Sequence, residues 1–114
     1  MSSRSKGIAG EDDARAFLTN AGYEIIESNY RGRFGEIDII ARDGEYTAFI
    51  EVKRRTGTRF GLPREAVTAS KQKKIILTAT EYAAKRGLLD SPLRFDVVEV
   101  LPGTVNVIKG AFTA

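Results

Sequence analysis

Apolar residues near the amino terminus recur at helical spacing and predict a first helix over about residues 8–20. They stand at positions i, i+3, i+4 and i+7: Ala14, Phe17, Leu18 and Ala21. Gly22 follows and favours an end to the helix there. Residues 1–6 combine serine with basic residues and show no such spacing, so we expect a disordered leader before the helix.

Short apolar segments elsewhere in the chain predict β-strands. Five of them cover about residues 23–27 (closing near 28–30), 34–41, 46–54, 95–101 and 104–108. Asp43 and Gly44 separate the second segment from the third, and Asp-Gly between two apolar runs is a strong signal for a β-hairpin. Pro102 and Gly103 predict a second short turn, between the last two strands.

A longer helix is predicted between the third and fourth strands, over about residues 64–86, with Gly87 as its cap. Its predicted buried face consists of Ile75, Ile76, Ala79, Tyr82 and Ala83. The element order is therefore α-β-β-β-α-β-β, which is typical of the α/β class with a mixed β-sheet flanked by helices. We expect residues 7–114 to form one domain, since a chain of 114 residues has room for one core.

The composition excludes several kinds of site. The chain has neither cysteine nor histidine, so it lacks disulfides, thiolates and the commonest zinc ligand. A bound metal must therefore be held by oxygen atoms, which favours Mg²⁺ or Mn²⁺. No apolar run approaches the length of a membrane span, and no apolar segment follows the basic first residues as in a secretory signal. We accordingly expect a cytoplasmic protein without membrane contact.

Basic residues are concentrated in the middle of the chain, although the net charge is only +3. They follow the third predicted strand and continue into the second helix: Lys53, Arg54, Arg55, Arg59, Arg64, Lys71, Lys73 and Lys74. Such clustering is the electrostatic footprint of a polyanion partner such as nucleic acid. Charge alone fits a solvated basic face equally well.

Two neighbouring predicted strands bring together two carboxylates and a lysine. Glu51 and Lys53 are two residues apart in one strand and point to the same face, and Asp38 lies in the strand paired with it. We expect Asp38 and Glu51 to share that face. Such a group suits Mg²⁺, which takes oxygen ligands, and it suits phosphodiester hydrolysis. Taken alone, the Glu-x-Lys triplet is better explained by a half-exposed strand with charges on its wet face.

Three further residues are candidates for the same site. Glu11 lies at the margin of the first helix's apolar stripe and could reach the sheet, but the residues alone favour acid placement near the helix amino terminus. Lys71 and Gln72 stand early in the second helix, where either could orient a water or contact a phosphate; the alternative is a solvated helix face. Asp96, in a late strand, is expected to pair with a basic neighbour.

The order of these segments resembles the PD-(D/E)XK restriction-endonuclease-like superfamily. More closely, the chain resembles the small bacterial YraN-like family of predicted endonucleases, on the Holliday-junction-resolvase-like branch. The matching segments are 7–11 (GIAGE), 22–23 (GY), 29–31 (NYR), 35–41 (GEIDIIA), 49–55 (FIEVKRR), 60–67 (FGLPREAV), Lys71 and 94–98 (RFDVV). The resemblance implies a restriction-endonuclease-like core.

The resemblance also implies roles for single residues. Asp38, Glu51 and the Val52 carbonyl would hold the metal, Lys53 would position or activate the attacking water, and Glu11 would assist metal binding. From the clustered basic charge and the polar residues early in the second helix, rather than from the resemblance, we expect a separate set of side chains to contact nucleic acid. That set is Arg54, Arg55, Arg59, Lys71, Gln72 and Lys74. The chain departs from the superfamily pattern at Ile37, which replaces a proline before Asp38.

These observations together predict a Mg²⁺- or Mn²⁺-dependent nuclease of DNA with resolvase-like geometry. A small fold has little surface for sequence recognition, so we expect recognition of DNA structure through phosphates. Because a resolvase needs two active sites, a homodimer is expected. The alternatives are a non-catalytic nucleic-acid-binding or ribosome-associated accessory module on a nuclease fold, and a structural protein without a nucleic-acid partner.

Overall fold

The computed structural model describes residues 5–55 and 67–114, with side chains from residue 10 onward. The elements are α1 (Ser5–Asn20), β1 (Glu24–Arg31), β2 (Glu36–Asp43), β3 (Tyr46–Arg54), α2 (Ala69–Arg86), β4 (Leu93–Leu101) and β5 (Thr104–Phe112). This is the predicted order of helices and strands. Helix α1 begins three residues before its predicted start, and residues 1–4 of the predicted leader lie outside the described residues.

The five strands form one mixed sheet in the order β1-β2-β3-β4-β5. Strands β3 and β4 are parallel, and the other three neighbouring pairs are antiparallel. A parallel pair needs a long crossover connection, and the segment carrying α2 supplies it. The predicted mixed sheet with flanking helices is confirmed.

The two helices pack on separate cores. Ala14 and Leu18 of α1 are fully buried against Ile39 and Ile50 of the sheet. Ile75, Ala79 and Tyr82 of α2 pack in a second core with Phe49 and Phe95. Because Phe49 and Ile50 are consecutive in β3, their side chains point to opposite faces, so each face of the sheet carries one helix.

The described ends of the elements correct several predicted boundaries. Ala21 was predicted on the buried stripe of α1, but it is exposed and follows the last helical residue, because Gly22 turns the chain at φ 98°. Phe34 was predicted inside a strand, but it lies in a loop closed by a hydrogen bond from the Gly32 N–H to the Gly35 carbonyl. Strand β1 continues to Arg31, and β5 continues to Phe112.

The start of α2 also differs from its prediction at residue 64. Residues 64–66 lie outside the described residues, but Thr68 is extended (φ −65°, ψ 160°) and precedes the first helical residue. Its side chain accepts a hydrogen bond from the Lys71 N–H at 3.1 Å, which satisfies a donor that a helix start leaves unpaired. At the other end, Gly87 adopts the left-handed conformation predicted for a cap (φ 69°). Neither described helix is long and apolar enough to cross a membrane.

Candidate functional site

The predicted hairpin brings Asp38 beside strand β3. Asp43 pairs with Tyr46 next to the turn, where Gly44 has φ 63°, and the antiparallel ladder runs as far as Ile39 and Ile50. Past that pair, Asp38 Oδ2 accepts a hydrogen bond of 2.8 Å from the Val52 N–H. The carboxylate of Asp38 therefore takes the place of a backbone partner, which holds it at the end of the ladder.

Glu51 is the central carboxylate of the site and forms ion pairs with two lysines. Its side chain is buried, with a residue exposure of 5%. Lys71 Nζ lies 3.0 Å from Glu51 Oε2, and Lys53 Nζ lies 3.4 Å from the same oxygen. Lys53 reaches it from the same face of β3, as predicted, whereas Lys71 comes from the first turn of α2. The structure thus joins β3 and α2 at this carboxylate.

The charges at the site are not balanced around Asp38. Burial and the neighbouring Glu51 carboxylate raise the pKa of Asp38 to about 7, and the charge of Glu11 acts in the same direction. The hydrogen bond from Val52 and the charge of Lys71 oppose this rise. Three carboxylates from α1, β2 and β3 therefore lie within electrostatic reach of one another. Ionisation of Asp38 in this environment costs free energy.

The donor set of Asp38 and Glu51 fits a magnesium ion. Mg²⁺ is commonly held by one or two carboxylates, with water and substrate phosphates completing its coordination. The raised pKa of Asp38 indicates negative charge that a cation would stabilise. Among the described residues, no group of three or more acidic side chains lies close enough to hold a metal. The metal-binding roles of Glu11 and of the Val52 carbonyl stay predictions.

Lys71 makes a contact that its sequence context did not predict. Its ammonium is bound to Glu51, and this hydrogen bond raises the pKa of Lys71. The predicted contact with water or phosphate stays a prediction. The side chain stays 47% exposed, so it borders solvent as well as the carboxylate. The missed signal was Thr68, whose cap sets the start of α2 and so the position of Lys71. Thr followed by a helical run is a recognisable cap.

Two of the predicted nucleic-acid-binding arginines stand at the end of β3 and contact other parts of the protein. Arg54 packs its aliphatic part on Gly10 of α1, where a Cβ would lie 2.8 Å from Arg54 Cγ and Cδ. A larger residue at position 10 would therefore require Arg54 to shift. Arg55 Nε lies 3.5 Å from a carboxylate oxygen of the buried Glu99. Arg59 lies outside the described residues.

The other predicted phosphate contacts are on α2. Gln72 Nε2 donates a 2.8 Å hydrogen bond to the carbonyl of Val67, the residue before the helix cap. This contact ties the first turn of α2 to the segment that leads into it. Lys74 is exposed beside the β1–β2 loop. Gln72 therefore has a structural contact in addition to its predicted role, and Lys74 is available to a phosphate.

The fold resembles that of a known junction-cutting enzyme. The structure of Hjc, a Holliday junction resolvase of Archaeoglobus fulgidus, matches with a TM-score of 0.59 over 90% of this chain and 75% of that chain. Sequence identity in this match is 23%, so it establishes the fold alone. The protein is thus an α/β protein with a resolvase-like, restriction-endonuclease-like core.

The chain belongs to the uncharacterised protein family UPF0102, whose model matches residues 10–100. It is 54% identical over 117 residues to a UPF0102 protein of Symbiobacterium thermophilum, covering 98% of this chain and 99% of that one. It is 44% identical over 115 residues to a UPF0102 protein of Lachnoclostridium phytofermentans, covering 100% of this chain and 98% of that one. The predicted membership of the YraN-like family is confirmed.

Proposed function

We propose that the protein is a Mg²⁺- or Mn²⁺-dependent nuclease that hydrolyses DNA phosphodiester bonds and recognises DNA structure rather than sequence. The observation that carries this proposal is the convergence of Asp38, Glu51, Lys53 and Lys71 from three separate elements on one small site. The likeness of the fold to a Holliday junction resolvase supports the same class of reaction.

The side chains divide the chemistry between them. Asp38 and Glu51 would hold the metal, which when bound polarises a phosphoryl oxygen as a Lewis acid. The Val52 N–H fixes the orientation of Asp38, so that little reorganisation is needed when the substrate arrives. Lys53 orients the attacking water and offsets the charge that grows on the phosphate. Lys71, which is half exposed, is placed to exchange part of its contact with Glu51 for a substrate phosphate.

Cleavage of a resolvase-like substrate would require two active sites in one protein assembly. A four-way junction is resolved by two cuts, and each subunit of this size carries one such site. A homodimer with a two-fold axis would present two equivalent sites to such a junction. Dimerisation is therefore part of the proposal for branched substrates and is not needed for cutting single strands.

The test is a nuclease assay on branched, nicked and single-stranded DNA with Mg²⁺ or Mn²⁺. We expect cleavage by the wild-type protein, and a loss of about a hundredfold or more in rate for Lys53→Ala, the size of a lost transition-state charge contact. DNA affinity should stay within a few-fold, because Lys53 supplies only one phosphate contact among several. Lys85→Ala is the matched control, since Lys85 is an exposed lysine at the far end of α2.

The accessory-module alternative predicts a different result. A module that only binds nucleic acid would cut no DNA or RNA with either metal, and Lys53→Ala would match Lys85→Ala in every assay. That outcome would overturn the proposed nuclease function.

A further inference from the structure

The loop of residues 31–36, which joins β1 to β2, borders the site described above. Glu36 is the first residue of β2 and stands two residues before Asp38, so the loop runs directly into the strand that carries this carboxylate. A Cβ on Gly35 would lie 3.6 Å from Thr78 Oγ1 and 3.8 Å from Lys74 Cβ. The 31–36 loop therefore packs along the middle of α2 and leads into the strand that carries Asp38.

Backbone contacts hold the 31–36 loop in one position. The Gly32 N–H donates to the Gly35 carbonyl at 2.8 Å, and the Arg33 N–H donates to Glu81 Oε1 at 3.1 Å. A Cβ on Gly32 would lie only 2.5 Å from the same Glu81 oxygen, so glycine lets the loop approach α2 closely. With its backbone pressed on the helix, the loop presents its side chains outward.

Those side chains form an aromatic and basic surface around a pocket. Phe34 is 43% exposed and is absent from both described cores, so packing does not account for it. The guanidinium of Arg33 lies 5.6 Å from the centre of the Phe34 ring. Arg31 is 79% exposed and lies 3.8 Å from Glu36. The pocket that the 31–36 loop lines is open to solvent and has a volume of about 370 Å³.

We propose that this pocket binds an unpaired nucleotide of the DNA substrate, with the base stacked on Phe34 and the adjacent phosphate near Arg31 or Arg33. This inference rests on the proposed nuclease function and names its substrate class: DNA with an unpaired base next to the cleaved bond, as at a flap or branch. A base within a duplex is covered by its neighbours on both faces, whereas an unpaired base offers a free face to an aromatic ring.

The position of the pocket supports this assignment. Glu36 lies two residues before Asp38 in β2, so a nucleotide in the pocket would be separated from the carboxylates by a short stretch of DNA backbone. Base–aromatic stacking depends little on sequence, because every base has a π-face. The pocket would therefore select DNA structure without selecting sequence, which a domain of this size needs.

The experiment measures binding of two DNAs without cleavage, in EDTA. One is a duplex with a single-stranded flap that carries 2-aminopurine at the junction, and the other is the same duplex without the flap. We compare the wild-type protein with Phe34→Ala, Phe34→Leu, which keeps an apolar side chain without a ring, and Phe34→Trp, which restores one. Leu89→Ala is the control for an exposed apolar residue, since Leu89 is 56% exposed on the α2–β4 connection.

For the wild-type protein we expect tighter binding of the flap than of the duplex, and quenching of 2-aminopurine on binding. Phe34→Ala and Phe34→Leu should lower the flap-to-duplex affinity ratio about tenfold or more, the range of one lost stacking contact. Both should also lose the quenching. Phe34→Trp and Leu89→Ala should keep both properties. If Phe34→Ala does not fold, Phe34→Leu carries the same test.

Two results would overturn the inference, and they are distinct. If wild-type protein binds and cuts DNA but Phe34→Leu keeps the wild-type affinity ratio and quenching, the pocket is wrong and the nuclease function stands. If wild-type protein neither binds nor cuts any of these DNAs, the proposed function fails and the inference fails with it.

Discussion

Strand β2 carries two aspartates that lie in charge clusters of opposite character. Asp38 stands near its start and Asp43 at its end, five residues or about 17 Å apart along an extended strand. Burial and Glu51 raise the pKa of Asp38 to about 7. Hydrogen bonds from Arg94 and Lys109 lower the pKa of Asp43. The same residue type in the same strand is thus disfavoured as an anion at one end and favoured at the other.

The cluster around Asp43 is a satisfied network. Arg94 Nη2 donates to Asp43 at 2.8 Å and to Asp96 at 2.9 Å, and Lys109 Nζ lies 3.0 Å from Asp43. Asp96 is fully buried and also accepts from the Gly110 N–H at 2.9 Å, where β5 bulges and Gly110 has φ 63°. The predicted pairing of Asp96 with a basic neighbour is confirmed. Because Arg94 contacts both aspartates, the network joins β2, β4 and β5.

The difference between the two clusters separates a structural role from the chemical role that we propose. In the Arg94 cluster each carboxylate has donors that match its charge, so nothing more is needed for stability. In the Asp38 cluster, carboxylates crowd one another beside partly exposed lysines, which costs stability and would be relieved by a bound cation. Perturbed acids of this kind are typical of functional sites.

The largest expected effect is on cleavage. Glu51→Gln removes one ligand charge and the partner of both lysines, so the cleavage rate should fall by about a thousandfold or more, equivalent to several kcal/mol. The far-ultraviolet circular dichroism spectrum should be unchanged. The control is Glu27→Gln, which neutralises a half-buried glutamate of β1 that pairs with Arg86 of α2. A Glu51→Gln protein that still cuts at the wild-type rate would remove Glu51 from the chemistry.

The next largest effect is on stability, in the other cluster. Asp96→Ala leaves Arg94 without its buried partner and should lower the free energy of unfolding by about 3–5 kcal/mol. In a domain of this size the melting temperature should fall by roughly 10 °C or more. Asp90→Ala, on the exposed α2–β4 connection, is the matched control. If both variants have the same melting temperature, the Arg94 network is not needed for stability. Cleavage by Asp96→Ala well below its melting temperature should stay within a few-fold of wild type.

A smaller effect is expected on the pH dependence of stability. The folded-state pKa of Asp38, about 7, exceeds its ordinary value of 3.8, so its penalty is absent below about pH 4 and grows as the pH rises to about 7. Asp38→Asn should therefore be more stable than wild type at pH 8, by up to about 4 kcal/mol, and equal to it near pH 4. Thermal melts in EDTA at both pH values measure this.

For Asp43→Asn, the same measurement should show a change in stability of the opposite sign. Because the folded-state pKa of Asp43 is lowered, its ionised form adds stability above the ordinary pKa, and this is lost as the pH falls through the folded value. Asp43→Asn should then be less stable than wild type at pH 8, with the gap closing in acid. Equal pH profiles for the two variants would contradict the contrast between the clusters.

The smallest effect is expected on DNA binding. Each phosphate neutralised by the protein adds about 0.9 to the slope of log affinity against log salt on duplex DNA. Lys74→Ala should weaken binding modestly and reduce that slope by about one, whereas Lys85→Ala should leave it unchanged. Fluorescence anisotropy between low and moderate salt measures both. An affinity that does not change with salt would show that phosphate contacts are not the basis of binding.

Much of the fold and part of the site could be predicted from the sequence, because their signals are local. Helix and strand periods, the Gly44 hairpin turn and the Gly87 cap are properties of a few consecutive residues. Glu51 and Lys53 share a face because strand side chains alternate, and this needs no tertiary information. The boundary errors at Phe34 and near Thr68 came from turn and cap contacts that overrode apolar patterning.

Only the tertiary structure decided which distant side chains meet. The 3.0 Å contact of Lys71 with Glu51 depends on how α2 crosses from β3 to β4, and the Asp43–Arg94–Asp96 network depends on the order of the strands. A periodic pattern reports the geometry of one element, whereas these contacts depend on the packing of several. The sequence therefore determined which charged groups the protein has, and packing determined which of them are neutralised and which remain available for chemistry.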